Sequence, residues 1–154
     1  MQFPECTEEN NNPKITIIDK GSNNNKSKVI FKNPNRKKVK IIQVEDCVIP
    51  KGTKGGRCDY LIKLDDKSNK QSDLLLVFIE LKGHDVAKAI SQLIDSINYI
   101  KQQCSSITSY QIDCIICCTK CPFHSTRIQN EQKKFRAKYK ANLKIRSGEM
   151  EYSI

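Results

Sequence analysis

The chain has 154 residues, the size of one domain, and its composition of 38% hydrophobic and 29% charged residues excludes a fully disordered chain. No stretch approaches the roughly 20 apolar residues that cross a bilayer, which excludes a membrane-spanning protein as well. The formal net charge of +10 at pH 7 favours a polyanionic partner, with nucleic acid ahead of an anionic membrane surface.

The positive charge lies in two arms. Residues 13–57 carry 12 basic against 3 acidic side chains, and residues 120–146 carry 9 against 1. Between the arms, residues 58–119 carry 6 basic against 8 acidic side chains. We therefore expect the arms to hold a polyanion and the acidic centre to hold the chemistry.

The cellular location is predicted from the first residues and from the cysteines. Residues 1–12 lack the basic and apolar leader of a secreted protein, so we expect an intracellular, cytoplasmic protein. The 8 cysteines are accordingly expected to be reduced thiols and not a disulfide framework.

Residues 1–27 are rich in Asn, Ser and Lys and are predicted to form a partly flexible segment in front of one domain, residues 28–154. In that domain, short β-branched or apolar runs bounded by turn residues predict strands. The predicted strands cover residues 29–31, 39–44, 58–64, 74–81 and 111–119, with one or two more in residues 143–154 around Gly148. The almost continuous apolar run at residues 74–81 is typical of a central strand that is covered on both faces.

Two segments are predicted to be helices. Apolar residues recur every three or four positions from Val86 to Ile100, which indicates a helix over residues 85–103 with Asp85 as its N-cap or first-turn acid. Residues 126–140 are predicted to form a basic helix. The order of these elements predicts an α/β fold with a mixed central β-sheet flanked by helices.

Two acids and a lysine lie on neighbouring predicted strands. Glu80 and Lys82 end one strand and share a face, because side chains alternate along a strand, while Leu81 points into the core. If the two strands pair as a hairpin, Asp59 meets Glu80 and Lys82 there. Converging carboxylates repel unless a cation lies between them, and their oxygens suit Mg²⁺ or Mn²⁺.

Such a cation would bind a phosphodiester oxygen and activate a bound water, and Lys82 would orient that water or neutralise the transition state. The arrangement predicts a hydrolase that acts on nucleic acid. A single site of this size that cuts both strands of a duplex would favour a homodimer.

At these residues the sequence resembles the PD-(D/E)xK nuclease superfamily, whose fold is that of many restriction enzymes. The match runs from Asp59 through a spacer of 20 residues to Glu80-Leu81-Lys82, with Cys58 in place of the family's proline. The resemblance implies that Asp59, Glu80 and the backbone carbonyl of Leu81 bind the metal, and that Lys82 is catalytic.

The resemblance further implies a restriction-endonuclease-like fold, a single nuclease-like domain, and a Mg²⁺- or Mn²⁺-dependent endonuclease that binds DNA. Many members carry an earlier acid that joins the metal site, for which Glu45 is the candidate, with Asp46 as a substitute. Lys88 and Gln92 are four apart on the helix after the lysine and share a face toward the site or toward phosphate. The side chains expected to contact nucleic acid are Lys54, Arg57, Lys88, Gln92, Arg127, Lys133, Lys134 and Arg136.

Several alternatives remain open. Asp59 could cap a turn while Glu80 and Lys82 form a solvated pair on an exposed strand face. The fold could also be a nucleic-acid-binding module without activity, although the intact Asp59, Glu80 and Lys82 favour the nuclease. A membrane-surface role for the basic helix is disfavoured because its apolar face is thin. His84, next to the lysine, is expected to be an exposed loop residue and not a catalytic acid or base.

A cysteine-rich stretch offers a further alternative. Residues 114–121 contain two overlapping C-x-x-C spacings followed by His124, which could organise a small zinc-bound interaction protein. If the stretch is a strand, Cys114 and Cys117 face opposite sides of the sheet and cannot chelate together. Packing of these cysteines in the core is therefore favoured.

Overall fold

The computed structural model describes residues 2–19, 27–65, 74–82, 85–121 and 124–154, with the backbone alone at Lys82. Within these ranges the α-helices are α1 Val86–Gln103 and α2 Ser125–Tyr139, and two short 3₁₀ helices cover Pro4–Cys6 and Ser105–Ser109. The strands are β1 Thr7–Asn10, β2 Lys14–Ile18, β3 Lys28–Lys32, β4 Val39–Gln43, β5 Tyr60–Asp65, β6 Leu74–Lys82, β7 Gln111–Cys118, β8 Ala141–Ser147 and β9 Glu149–Ser153.

The strands form two sheets. The larger sheet has six strands in the order β1-β4-β5-β6-β7-β8. The neighbours among β1, β4, β5 and β6 pair antiparallel, and β6, β7 and β8 run parallel. The smaller sheet has the order β2-β3-β9, with β3 and β9 parallel. A mixed sheet with two helices confirms the predicted α/β class.

The larger sheet is covered differently on its two faces. Phe78 of β6 and Cys114 of β7 belong to one hydrophobic core together with the buried side chains of α1 and α2. Val77 and Ile115 belong to a second core that the smaller sheet closes. β6 is therefore covered on both faces, as its apolar run predicted. In the described residues the helices cover one face of the sheet and strands cover the other.

The helix α1 follows its sequence closely. Asp85 is the N-cap, and its carboxylate accepts a 2.9 Å hydrogen bond from the N–H of Lys88, as predicted. The apolar stripe of α1, from Val86 to Ile100, is buried in the first core. Within the described residues no helix is long and apolar enough to cross a bilayer.

The segment predicted to be partly flexible, residues 1–27, contains β1 and β2, which its composition did not indicate. β1 has the polar sequence Thr-Glu-Glu-Asn and joins the edge of the larger sheet through its backbone pairing with β4. β2 has only two buried residues, Ile15 and Ile17, which pack in the second core. Both strands are specified by partners distant in sequence, so local composition did not reveal them.

The turn between β3 and β4 joins the two sheets. The buried side chain of Asn33 donates to the carbonyls of Asn12 (3.2 Å) and Lys37 (2.8 Å) and accepts from the N–H of Lys37 (2.9 Å). A turn therefore links β3 to β4, although these two strands belong to different sheets.

The cysteines are partly oxidised. Cys6 and Cys47 form a disulfide, with 5.7 Å between their Cα atoms, because β1 and β4 pair beside them. Cys118 and Cys121 form a second disulfide. The prediction that all the cysteines are reduced is wrong for these four.

The other cysteines of the C-x-x-C stretch behave as predicted. Cys114 lies in the first core and Cys117 in the second, so the two side chains face opposite sides of the sheet. Their position confirms that they pack as core residues.

Candidate active site

Asp59 and Glu80 lie next to each other where β5 begins and β6 ends. Tyr60 of β5 pairs with Ile79 of β6 in antiparallel register, which places Asp59 beside Glu80. The N–H of Asp59 donates to the Glu80 Oε2 (3.1 Å) and to the carbonyl of Ile79 (3.1 Å). In return, the N–H of Leu81 donates to the Asp59 Oδ2 (2.7 Å). Each carboxylate therefore accepts a hydrogen bond from the backbone of the other strand.

Glu80 is almost wholly buried, with 1% of its surface exposed, and Asp59 is half-buried. Burying a carboxylate is costly unless hydrogen bonds or a cation compensate its charge. The backbone contacts described above supply part of that compensation. They also hold both carboxyl groups in defined positions at the end of a central strand.

The two acids make their surroundings electronegative. Burial raises the pKa of the Cys58 thiol well above its ordinary value, and the charges of Glu80 and Asp59 add to that rise. Burial also raises the pKa of the Tyr60 hydroxyl, again with a contribution from Asp59. A positive ion beside these carboxylates would be stabilised by the same field.

The segment in front of Asp59 is fixed to α1 by three hydrogen bonds. The N–H of Gly56 donates to Asp95 (2.6 Å), the N–H of Cys58 donates to Ser96 (2.8 Å), and the Gln92 side chain donates to the carbonyl of Arg57 (2.8 Å). Polar side chains of one helix face thus bind successive backbone groups of the segment. This attachment determines where the chain enters β5 and hence where Asp59 lies.

Gly56 is required by the close approach of this segment to α1. A Cβ atom built on Gly56 would lie 2.9 Å from the Cα and 2.9 Å from the Cγ of Gln92. The Oε1 of Gln92 is buried and has no hydrogen-bond partner among the described atoms. Gln92 therefore combines a backbone contact beside the acids with an unused oxygen acceptor.

The predicted earlier acids do not join the pair. Asp46 forms an ion pair with Arg57, at 3.4 Å, and Glu45 is half-buried in the turn after β4. In the described parts of the chain, no three His, Cys, Asp or Glu side chains form a group that could hold a metal ion, so Glu45 is not assembled with Asp59 and Glu80. The cysteine stretch likewise forms no group in the described residues that could hold zinc.

The remaining predicted residues are distributed more widely. Lys54 and Lys88 are exposed, in the loop before β5 and in the first turn of α1. Lys82 is the last residue of β6, with its backbone opposite Cys118. Its side chain and the residues Gly83 and His84 lie outside the described part of the structure.

The basic side chains of α2 are exposed but are not next to the acids. The predicted contacts Arg127, Lys133, Lys134 and Arg136 all lie on α2, which packs against the edge strand β8. Since β7 separates β6 from β8, the two strands are about 10 Å apart. The structure therefore separates a carboxylate pair on β5 and β6 from a basic helix at the sheet edge.

Sequence reasoning missed Asp95 and Ser96, which position the strand that carries Asp59. The signal was present as Gly55-Gly56 before the strand and as polar residues spaced by three and four on an otherwise apolar helix. In comparisons with protein-family models, curated proteins and solved structures, no match to this chain was found.

Proposed function

We propose that the protein is a metal-dependent nuclease that hydrolyses phosphodiester bonds, with DNA as the favoured substrate. The observation that carries the proposal is the reciprocal backbone bonding of Asp59 and Glu80, which holds two carboxylates together at the end of a central strand. Acids are almost never fully buried unless they are paired, and carboxylates held close together in this way are typical of catalytic sites.

The residues present fit a hard divalent cation. Asp59 and Glu80 supply carboxylate oxygens, and the family resemblance adds the backbone carbonyl of Leu81, so the proposed ligands are all oxygens, as Mg²⁺ and Mn²⁺ prefer. When bound, the cation would polarise a phosphodiester oxygen and lower the pKa of a water.

The protein's own groups have separate tasks in this proposal. The N–H groups of Asp59 and Leu81 orient the two carboxylates toward each other's strand. The contacts from α1 hold the segment that leads into Asp59. From the resemblance, Lys82 would orient the attacking water and offset the charge that develops on the phosphate.

The topology is consistent with a restriction-endonuclease-like fold. In that interpretation β4, β5 and β6 form the antiparallel half of the sheet, and α1 connects β6 to the parallel strand β7. The acids lie at the boundary between the antiparallel and parallel halves. The exposed cations of α2 add a surface suited to phosphates.

A cleavage panel tests the proposal. The purified chain is incubated with labelled single-stranded, duplex and branched DNA and with RNA, in Mg²⁺, in Mn²⁺ and in EDTA. Asp59→Asn and Glu80→Gln keep the shape of each side chain and remove its charge, and Lys82→Ala removes the proposed catalytic amine. Each variant should lose at least about 100-fold in cleavage rate, in the range typical of a group that stabilises transition-state charge.

The control is Glu9→Gln, an exposed acid on β1 at the edge of the sheet, which should cleave at the rate of the unaltered chain. Cleavage that survives EDTA or persists in Asp59→Asn and Glu80→Gln would refute the proposal. Binding of DNA without cleavage of any substrate would instead indicate the alternative, an inactive binding module.

A further inference from the structure

A groove runs along the outer edge of the larger sheet, between α2 and β9. Its volume is about 1070 Å³, and residues of α2, β9 and β8, the last strand of the sheet, line it. Five of its 13 lining residues are Lys or Arg. This groove is distinct from the site of Asp59 and Glu80, and none of its residues contacts those acids among the described contacts.

The cations of the groove form two rows. Lys133, Arg136 and Lys140 are spaced by three and four residues and lie along one face of α2 and its C-terminal cap. Lys144 and Arg146 are two apart on β8 and therefore share a face of that strand. Both rows line the same groove, the helix row from α2 and the strand row from the face of β8 that is turned away from α2.

The acids of the groove are already neutralised. Glu149 forms an ion pair with Lys28 (3.1 Å) and Glu151 with Lys32 (2.6 Å), both on the neighbouring strand β3. None of the five groove cations forms an ion pair with a described carboxylate. The groove is therefore a region of concentrated, uncompensated positive charge.

We infer that this groove binds the phosphate backbone of a nucleic acid. Two rows of cations that line one groove match a polyanion whose charges repeat about every 3.4 Å along each strand. A peptide that adds a strand to β8 fits less well, because Gln132 already donates to the Leu143 carbonyl (3.0 Å), one of the acceptors that such a strand would use.

The inference rests on the proposed function, because the nuclease proposal identifies the ligand as a nucleic acid. Glu80 is in register with Ile145 through Ile116 of β7, so the backbone of β8, which lines the groove, lies about 10 Å across the sheet from the backbone that carries Glu80. About three nucleotides of one strand cover that distance. Contacts in the groove would then fix the position of a substrate without taking part in its cleavage.

The test measures binding separately from cleavage. Affinity of the full chain for a fluorescein-labelled DNA duplex is measured by anisotropy in EDTA at several salt concentrations. Two double variants, Lys133→Gln with Arg136→Gln and Lys144→Gln with Arg146→Gln, remove one row each. Each should weaken binding about tenfold near 0.1 M salt and reduce the slope of log affinity against log salt by about 2.

The control is Lys101→Gln, which removes a positive charge from the last turn of α1, outside both basic arms. It should change affinity by no more than about twofold and leave the salt slope unaltered. Thermal unfolding checks that every variant is folded. The helix row is the safer test in this respect, because Lys133 and Arg136 are both exposed.

Groove variants that bind DNA as the control does, with the same salt slope, would overturn the inference. Loss of affinity for a poly-glutamate peptide with DNA affinity unchanged would overturn it too, in favour of an acidic protein partner. A chain that binds DNA through the groove but cleaves nothing would contradict the proposed function alone. A chain that cleaves normally with both rows removed would contradict the groove alone.

Discussion

The N–H of Asp59 donates to the carboxylate of Glu80 across the β5–β6 pair, at 3.1 Å. The orientation of Glu80 is thus set by the backbone of the strand that carries its neighbour acid. A substitution that changes one of these residues will also disturb the other. Effects of paired substitutions at these two positions should therefore be less than additive.

Metal binding should stabilise the folded chain through the same two residues. At a Mg²⁺ concentration about 100 times the dissociation constant, the expected gain is about 2.7 kcal/mol, or roughly 5–10 °C in Tm for a domain of this size. Glu80→Gln removes one proposed ligand and should abolish the gain, while Glu9→Gln should retain it. The measurement is thermal unfolding with and without Mg²⁺, and equal gains in the two variants would argue against Glu80 as a ligand.

Gly56→Ala should destabilise the fold and lower cleavage. The added methyl group meets the Cα and Cγ of Gln92 at 2.9 Å, and overpacking of this kind costs about 1–3 kcal/mol. Urea unfolding measures the loss. Gly52→Ala is the comparison, since the space around Gly52 is open, its positive φ of 88° alone costs about 1 kcal/mol, and cleavage should be unchanged. Equal stability of Gly56→Ala and the unaltered chain would contradict the packing described for this segment.

Ser96→Ala should reveal how strongly α1 holds the segment before β5. The hydroxyl of Ser96 accepts from the buried N–H of Cys58, and an unsatisfied buried donor costs about 1–3 kcal/mol. Ser91 lies on the exposed side of the same helix, so Ser91→Ala should stay within about 0.5 kcal/mol of the unaltered chain. If the two variants have the same free energy of unfolding, the hydrogen bond to Cys58 contributes nothing to the fold.

Asp65 should make stability depend on pH. Burial alone would raise the pKa of this carboxyl, but hydrogen bonds from Lys63 and Tyr110 outweigh it and lower the pKa. A folded-state pKa below the unfolded value means that the carboxylate stabilises the fold above about pH 4, and that this contribution is lost as pH falls through the folded pKa. Asp65→Asn should therefore be less stable than the unaltered chain at pH 7.

The deficit of Asp65→Asn should shrink near pH 3. Urea unfolding at the two pH values measures the difference, with the exposed acid Glu9 as the comparison, whose change to Gln should stay within about 0.5 kcal/mol at both. A deficit of the same size at pH 7 and pH 3 would show that the charge of Asp65 does not contribute.

The sequence pattern predicted most of the helices and strands, because the spacing of their apolar residues shows which face is buried. The alternating and continuous apolar runs of β5, β6 and β7 and the helical spacing of α1 each record a face that is buried. The position of Asp85 as a cap followed from its place before the first apolar turn. For the same reason the adjacency of Asp59 and Glu80 was predictable once β5 and β6 were expected to pair.

Contacts between distant parts of the chain could not be predicted in this way. β1 is polar and depends on β4 for its backbone pairing, and the Cys6–Cys47 disulfide depends on that pairing. The assignment of β3 and β4 to different sheets is decided by the partners of β3, which are β2 and β9. The roles of Asp95 and Ser96 depend on where α1 packs against the sheet. The sequence around these two residues does not indicate that position.

The parallel pairing of β3 with β9 has a consequence for the order of folding. Lys28 pairs with Glu149, so the smaller sheet joins residues 14–32 to residues 149–153. Phe31 and Tyr152 then close the second core, behind the strands that carry Asp59 and Glu80. During synthesis the support behind the two acids would remain incomplete until residues 149–153 had left the ribosome. Contacts between such distant segments also slow folding, so we expect the support behind the two acids to form late.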